Sequence, residues 1–131
     1  MSGRFLLDSN IVIAFLAGDD SVHNRLAQAD ELFTSGIVMG ELYFGVLKSG
    51  RVEENLGRLR RFERACVVLG CDPGTAWEYA GIKNGLRSKG RPIPENDIWI
   101  AATARQHGLT LVTRDQHFSA VDGLKYDAWL P

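Results

Sequence analysis

Apolar positions along this chain alternate between two periods. Four short runs rich in Leu, Val, Phe or Thr read as strands: RFLLD (4–8), ELFT (31–34), CVVL (66–69) and LTLVT (109–113). A further short strand is expected near 125–127. The segments between them follow helical spacing. SNIVIAFLAGD (9–19) offers Ser9 or Asn10 as a cap and Gly18 as a stop, and 21–29 reads as a second helix. Ser35 can cap a helix whose stripe runs Val38, Glu41, Leu42, Gly45. The charged segment 52–65 turns Leu56, Leu59 and Phe62 inward. Asp72 followed by Pro73 is a strong helix start, and that helix should run to about Gly90. PENDIWIAATA (94–104) puts Asp97 at the head of a stripe continued by Ile100, Ala101 and Ala104, with Gly108 placed to end the helix. Strands alternating with helices predict a three-layer α/β fold, a central, mainly parallel sheet flanked by helices, as a single domain over 1–131.

Composition changes this picture little. With 131 residues a core can form without staples, and 15 Lys+Arg against 16 Asp+Glu leave no overall bias toward a polyanion. Four residues separate Cys66 from Cys71 and no His/Cys cluster accompanies them, so both are expected to be ordinary buried thiols of a reducing compartment. The N-terminus meets an acid too early for a signal peptide, and the apolar run 11–17 is far below the roughly 20 residues of a membrane span. A cytoplasmic protein is expected. His23, His107 and His117 show no ligand spacing, and His117 is expected in a loop.

The chemistry lies in four acids. Asp8 and Asp115 fall at or just past the carboxyl ends of strands, where open parallel sheets bind their ligands. Glu41 and Asp97 are expected in the first turns of helices, on faces otherwise apolar. Singly, each has an ordinary role: Asp8 as a cap, Asp97 beside a helix dipole, Asp115 in a turn, Glu41 in solvent. Together they are harder to dismiss, because carboxylates crowded into one pocket repel each other and resist ionisation. A divalent cation removes that conflict, and oxygen-only ligands favour Mg²⁺ or Mn²⁺, which can polarise a phosphoryl oxygen and activate water. Between Glu78 and Glu95 there is no acid, while Lys83, Arg87, Lys89 and Arg91 are present. Lys83 and Arg87 continue the face of Ala76, Tyr79 and Ala80, so they can rim the pocket and suit a phosphodiester backbone, or simply end a solvated helix.

LLDSN, SGIVMGELYFGV, GRPIPENDIWIAATA and LVTRDQHF together resemble the PIN-domain nucleases, in particular the VapC-type toxins of prokaryotic toxin–antitoxin pairs. The resemblance spans nearly the whole chain. It implies that Asp8, Glu41, Asp97 and Asp115 gather around Mg²⁺ or Mn²⁺ and cleave RNA, leaving a 5′-phosphate and a 3′-hydroxyl. It also implies that Asn10 and Thr113 steady the acids or a water. Ser9 stands where Thr is common and keeps the hydroxyl. A homodimer and a small VapB-like antitoxin whose tail occludes the pocket follow by resemblance alone. A PIN-like domain that binds RNA or protein without turnover is the alternative; loss of one acid would mark it, and all four are present. A phosphorylatable receiver would need paired acids after its first strand, where Asp8 stands alone. A haloacid-dehalogenase-type phosphatase would need Asp where Asn10 stands.

Overall fold

The computed structural model describes residues 3–131. Among these residues five strands form one sheet: β1 (Arg4–Leu7), β2 (Glu31–Ser35), β3 (Val67–Leu69), β4 (Thr110–Val112) and β5 (Tyr126–Asp127), in the order β3-β2-β1-β4-β5. Every pairing is parallel. Parallel neighbours need crossovers, most of which are helical here. They run through α1 (Ser9–Leu16), α2 (Asp20–Gln28), α3 (Gly36–Leu47), α4 (Val52–Arg64), α5 (Pro73–Lys89) and α6 (Glu95–His107). Leu6 and Leu7 on β1 and Leu111 and Val112 on β4 are all fully buried. Successive strand residues point to opposite faces, so both faces of the central sheet are covered.

Local chemistry sets the element ends. Asp72 accepts the Thr75 N–H (3.1 Å) while Thr75 Oγ1 accepts the Asp72 N–H (3.1 Å), a reciprocal cap ahead of Pro73. Gly90 and Gly108 stop α5 and α6 at φ +67° and +64°, a left-handed turn that costs other residues a Cβ clash. Of the caps the sequence offers for α1, neither Ser9 nor Asn10 is the one used. Asp8 itself caps that helix, accepting the Ser9 N–H. On α6, Ile100, Ala101 and Ala104 are fully buried, as their stripe requires, and on α4 Leu59 and Phe62 are buried while Leu56, at the start of that stripe, is only half-buried. Cys66 is half-buried and burial pushes its thiol up to about 11; Cys71, expected inside, is exposed in the loop before α5.

The chain starts at β1 in the middle of the sheet, builds outward through β2 and β3, then returns to the other side of β1 with β4. The crossovers therefore part between β1 and β4. That parting is where a doubly wound sheet opens a crevice beyond its carboxyl ends. Among the described residues, no helix is long and apolar enough to cross a membrane.

Candidate active site

Asp8 directly follows β1 and Thr113 directly follows β4, and the two side chains meet at the carboxyl ends of these neighbouring strands. Thr113 Oγ1 donates to Asp8 Oδ2 (2.8 Å), while Asp8 Oδ1 accepts the Ser9 N–H (2.8 Å). The same threonine oxygen accepts the Asp115 N–H (3.1 Å) and the Asn10 amide (3.4 Å), so its one donor and two acceptor positions are all used. Asn10 Oδ1 in turn accepts the Arg114 N–H (3.2 Å). Asp8, at 4% exposure, is thus aimed by Ser9 and Thr113, and Asn10 steadies Thr113.

The other acids arrive from three more elements. Asp97 is the third residue of α6, where backbone N–H groups favour negative charge. Asp115 lies past β4 and opens a short 3₁₀ turn, Gln116–Ala120, accepting the His117 N–H (3.4 Å). Glu41 sits in the second turn of α3, not the first, since the helix already starts at Gly36 behind its Ser35 cap. All four acids line one cleft of about 410 Å³, with Ser9, Asn10, Pro94, Glu95, Asn96 and His117 completing the wall.

His117 is not the bystander its loop position predicted. Its Nε2 lies 2.5 Å from Asp97 Oδ2 and its Nδ1 2.6 Å from Asp115 Oδ1, placing the imidazole between two of the acids. Spacing among histidines could not find it, because its partners are carboxylates. The usable signal was Asp-Gln-His directly after a strand, where a tight turn turns residue i+2 back onto residue i.

Burial dominates the electrostatics. It raises the Asp8 carboxyl above the usual range, against the Thr113 and Ser9 hydrogen bonds, and the Asp115 charge adds to the rise. It raises Asp97 too, against the His117 contact, with the Asp8 and Asp115 charges adding to it. Glu41 is raised by burial and then by the Asp8 charge, and the Asn96 and Ser9 side chains offset part of this. Among the described residues, Glu41 Oε1 is the one buried side-chain oxygen or nitrogen with no hydrogen-bond partner. A buried acceptor in that state carries a desolvation cost that a cation would remove. An orphaned carboxylate oxygen among clustered buried acids is the kind of oxygen-rich surrounding that a divalent cation takes, and the residues fit one.

The basic pair divides. Lys83 Nζ bonds Glu95 Oε1 (2.5 Å) and the Tyr79 hydroxyl (3.1 Å), and Glu95 belongs to the cleft wall, so this lysine stands at the rim with its charge already matched. Arg87 is exposed one turn further along α5 and is not part of the cleft wall.

The class follows from comparison with known proteins. The PIN domain family profile matches residues 5–124 of the chain. "Ribonuclease VapC2" of Haemophilus influenzae is 35% identical over 97% of this chain and 98% of that protein. The "tRNA(fMet)-specific endonuclease VapC" of Shigella flexneri is 32% identical over 96% of this chain and 98% of its own length. A solved structure described as DNA-bound VapBC from Salmonella typhimurium superposes with a TM-score of 0.90 at 28% identity, covering 99% of this chain and all of that one. The chain belongs to the PIN-domain family and, within it, to the VapC ribonucleases.

Proposed function

We propose that this protein is a Mg²⁺- or Mn²⁺-dependent endoribonuclease of the cytoplasm and the toxin of a type II toxin–antitoxin pair. The observation that carries this reading is the convergence of Asp8, Glu41, Asp97 and Asp115, from four separate elements, on one cleft where Glu41 Oε1 has no other partner. These four acids hold the cation. Ser9 and Thr113 fix the rotamer of Asp8, and Thr113 also fixes the backbone of Asp115. A divalent cation supplies Lewis acidity to a phosphoryl oxygen and a nucleophile from water at neutral pH. Cleavage then leaves a 5′-phosphate and a 3′-hydroxyl. Lys83 and Arg87 contact the phosphodiester backbone, and RNA phosphate competes with Glu95 for Lys83.

An apolar groove of about 410 Å³ adjoins the cleft, sharing Ser9 and Glu41 with it and running over Ile13, Leu16, Leu42, Val46 and Leu59. Its shape and the acidity at its end suit a VapB-like antitoxin segment that is apolar along its length and basic where it meets the acids. A homodimer is part of the same proposal. The test is cleavage of cellular RNA and initiator tRNA by wild type and Asp97→Asn, each with Mg²⁺, Mn²⁺ or EDTA. Cleavage that needs both the metal and Asp97 supports the reading. Folded protein that binds Mn²⁺ yet cuts no RNA under conditions where a related toxin does would sink it.

A further inference from the structure

The acids are not the whole donor set around the cleft. We propose that His117 contributes a ring nitrogen to the cation, so that this site takes Mn²⁺ in preference to Mg²⁺. The inference rests on the metal-site reading above and deepens it.

The geometry supports a ligand and not a passing neighbour. One ligand atom each from Asp97, Asp115 and His117 can be chosen so that all three lie within 4.8 Å of one another, a span that bonds of roughly 2.1 Å to one shared ion can bridge after small adjustments. The residue is held from behind. Its N–H is accepted by Asp115 Oδ1 within the 3₁₀ turn, and the next residue, Phe118, is fully buried with its ring 5.0 Å from the imidazole. A side chain whose backbone is fixed on both sides, and whose two nitrogens each face a carboxylate, is set up for ligation before any ion arrives.

The choice of ion follows from ligand chemistry. Mg²⁺ is hard, keeps its water and favours oxygen donors in a rigid octahedron. A transition ion such as Mn²⁺ accepts an imidazole nitrogen more readily, and swapping one oxygen donor for nitrogen moves the preference toward it. Neither of the other histidines is a rival: His23 stacks on Phe15 and bonds its carbonyl oxygen (2.9 Å), and His107 ends α6.

The experiment loads the full chain with Mn²⁺ after growth on ¹⁵N-histidine and reads nitrogen coupling by pulsed electron paramagnetic resonance. Calorimetric Mn²⁺ and Mg²⁺ affinities are measured alongside, on wild type and His117→Gln. The expected result is nitrogen coupling in wild type that vanishes in the variant. Mn²⁺ affinity should fall about tenfold or more, and Mg²⁺ affinity should change less. Mn²⁺ bound by wild type with no nitrogen coupling overturns the inference and leaves the acid site standing. So does His117→Gln binding both ions more tightly, which would make the imidazole an occupant that the ion displaces. Wild type that binds neither ion overturns this inference and the proposed function together. The wild-type resonance measurement needs no variant to fold.

Discussion

Asp97 and Asp19 are both aspartates at the start of a helix, one in the cleft and one where the chain enters α2. Asp19 accepts from the Ser21 hydroxyl (2.6 Å), the Arg114 guanidinium (3.1 Å) and the Val22 N–H (3.2 Å), and these donors, the serine first, pull its carboxyl down to about 2. Asp97 goes the other way, raised by burial and by the charges of Asp8 and Asp115 despite its contact with His117. The two regions share a junction. Arg114 lies between Thr113 and Asp115, and its guanidinium also binds the carbonyl oxygens of Ala128 (3.2 Å) and Trp129 (2.9 Å). Trp129, at φ +50°, is buried edge-on against Phe5, with ring centroids 5.1 Å apart. One carboxylate is thus satisfied and ties the C-terminal residues to the end of β4. The other is held above its ordinary range by burial and by neighbouring acids. Stored electrostatic conflict marks the site, and satisfied charge marks the scaffold.

That contrast can be broken most strongly at Asp97. Asp97→Asn should lower RNA cleavage by about a hundredfold or more, while raising the melting temperature in EDTA, because it removes a carboxylate that the fold holds against its preference. A variant that loses activity and also melts lower without metal would place Asp97 among the structural acids. Next in size, Thr113→Val removes the hydroxyl that orients Asp8 and receives the Asp115 N–H, and should cost about tenfold in turnover or metal affinity. Unchanged titrations and rates would show that Asp8 needs no such support.

Arg114→Ala tests the scaffold side. It should destabilise the protein by about 1–3 kcal/mol, since two carbonyl oxygens lose a charged donor. Denaturant melts should show this loss equally with EDTA and with Mn²⁺, unlike any change at Asp97.

Acidity separates the two regions by sign. A raised carboxyl binds protons more tightly folded than unfolded, so Asp8, Glu41 and Asp97 add stability to metal-free protein as pH falls from neutrality toward about 4, the ordinary carboxylate value. Asp19, depressed to about 2, contributes stability that is present above about 4 and is lost as pH falls toward 2. Melting temperatures in EDTA should therefore peak on the acid side of neutrality, and Asp97→Asn should flatten the alkaline limb. A steady fall from pH 8 downward would contradict this assignment. Smallest of all, Lys83→Ala should weaken RNA binding a few-fold and lower the salt dependence by about one ion, leaving metal affinity unchanged. If metal affinity fell as well, Lys83 would be acting on the acids through Glu95.

Much of this was legible in the residues alone, for local reasons. The caps and stops at Asp72, Pro73, Gly90 and Gly108 act within a turn of where they stand, and the stripes on α4 and α6 follow from helical period. The parallel sheet follows from strands alternating with helices, and the four acids from their motifs. Other features depend on residues far apart in the chain. Thr113 reaches Asp8 across 105 residues, and Arg114 reaches Asp19 across 95. His117 gained its place only when the first turns of α6 came to lie beside the end of β4, and the burial that leaves Glu41 Oε1 unpartnered needs α3 packed against α6. Local sequence determines where elements begin, end and bury a face. Which charges meet, and whether they are satisfied or left in conflict, is decided by the order in which the crossovers lay those elements around the sheet.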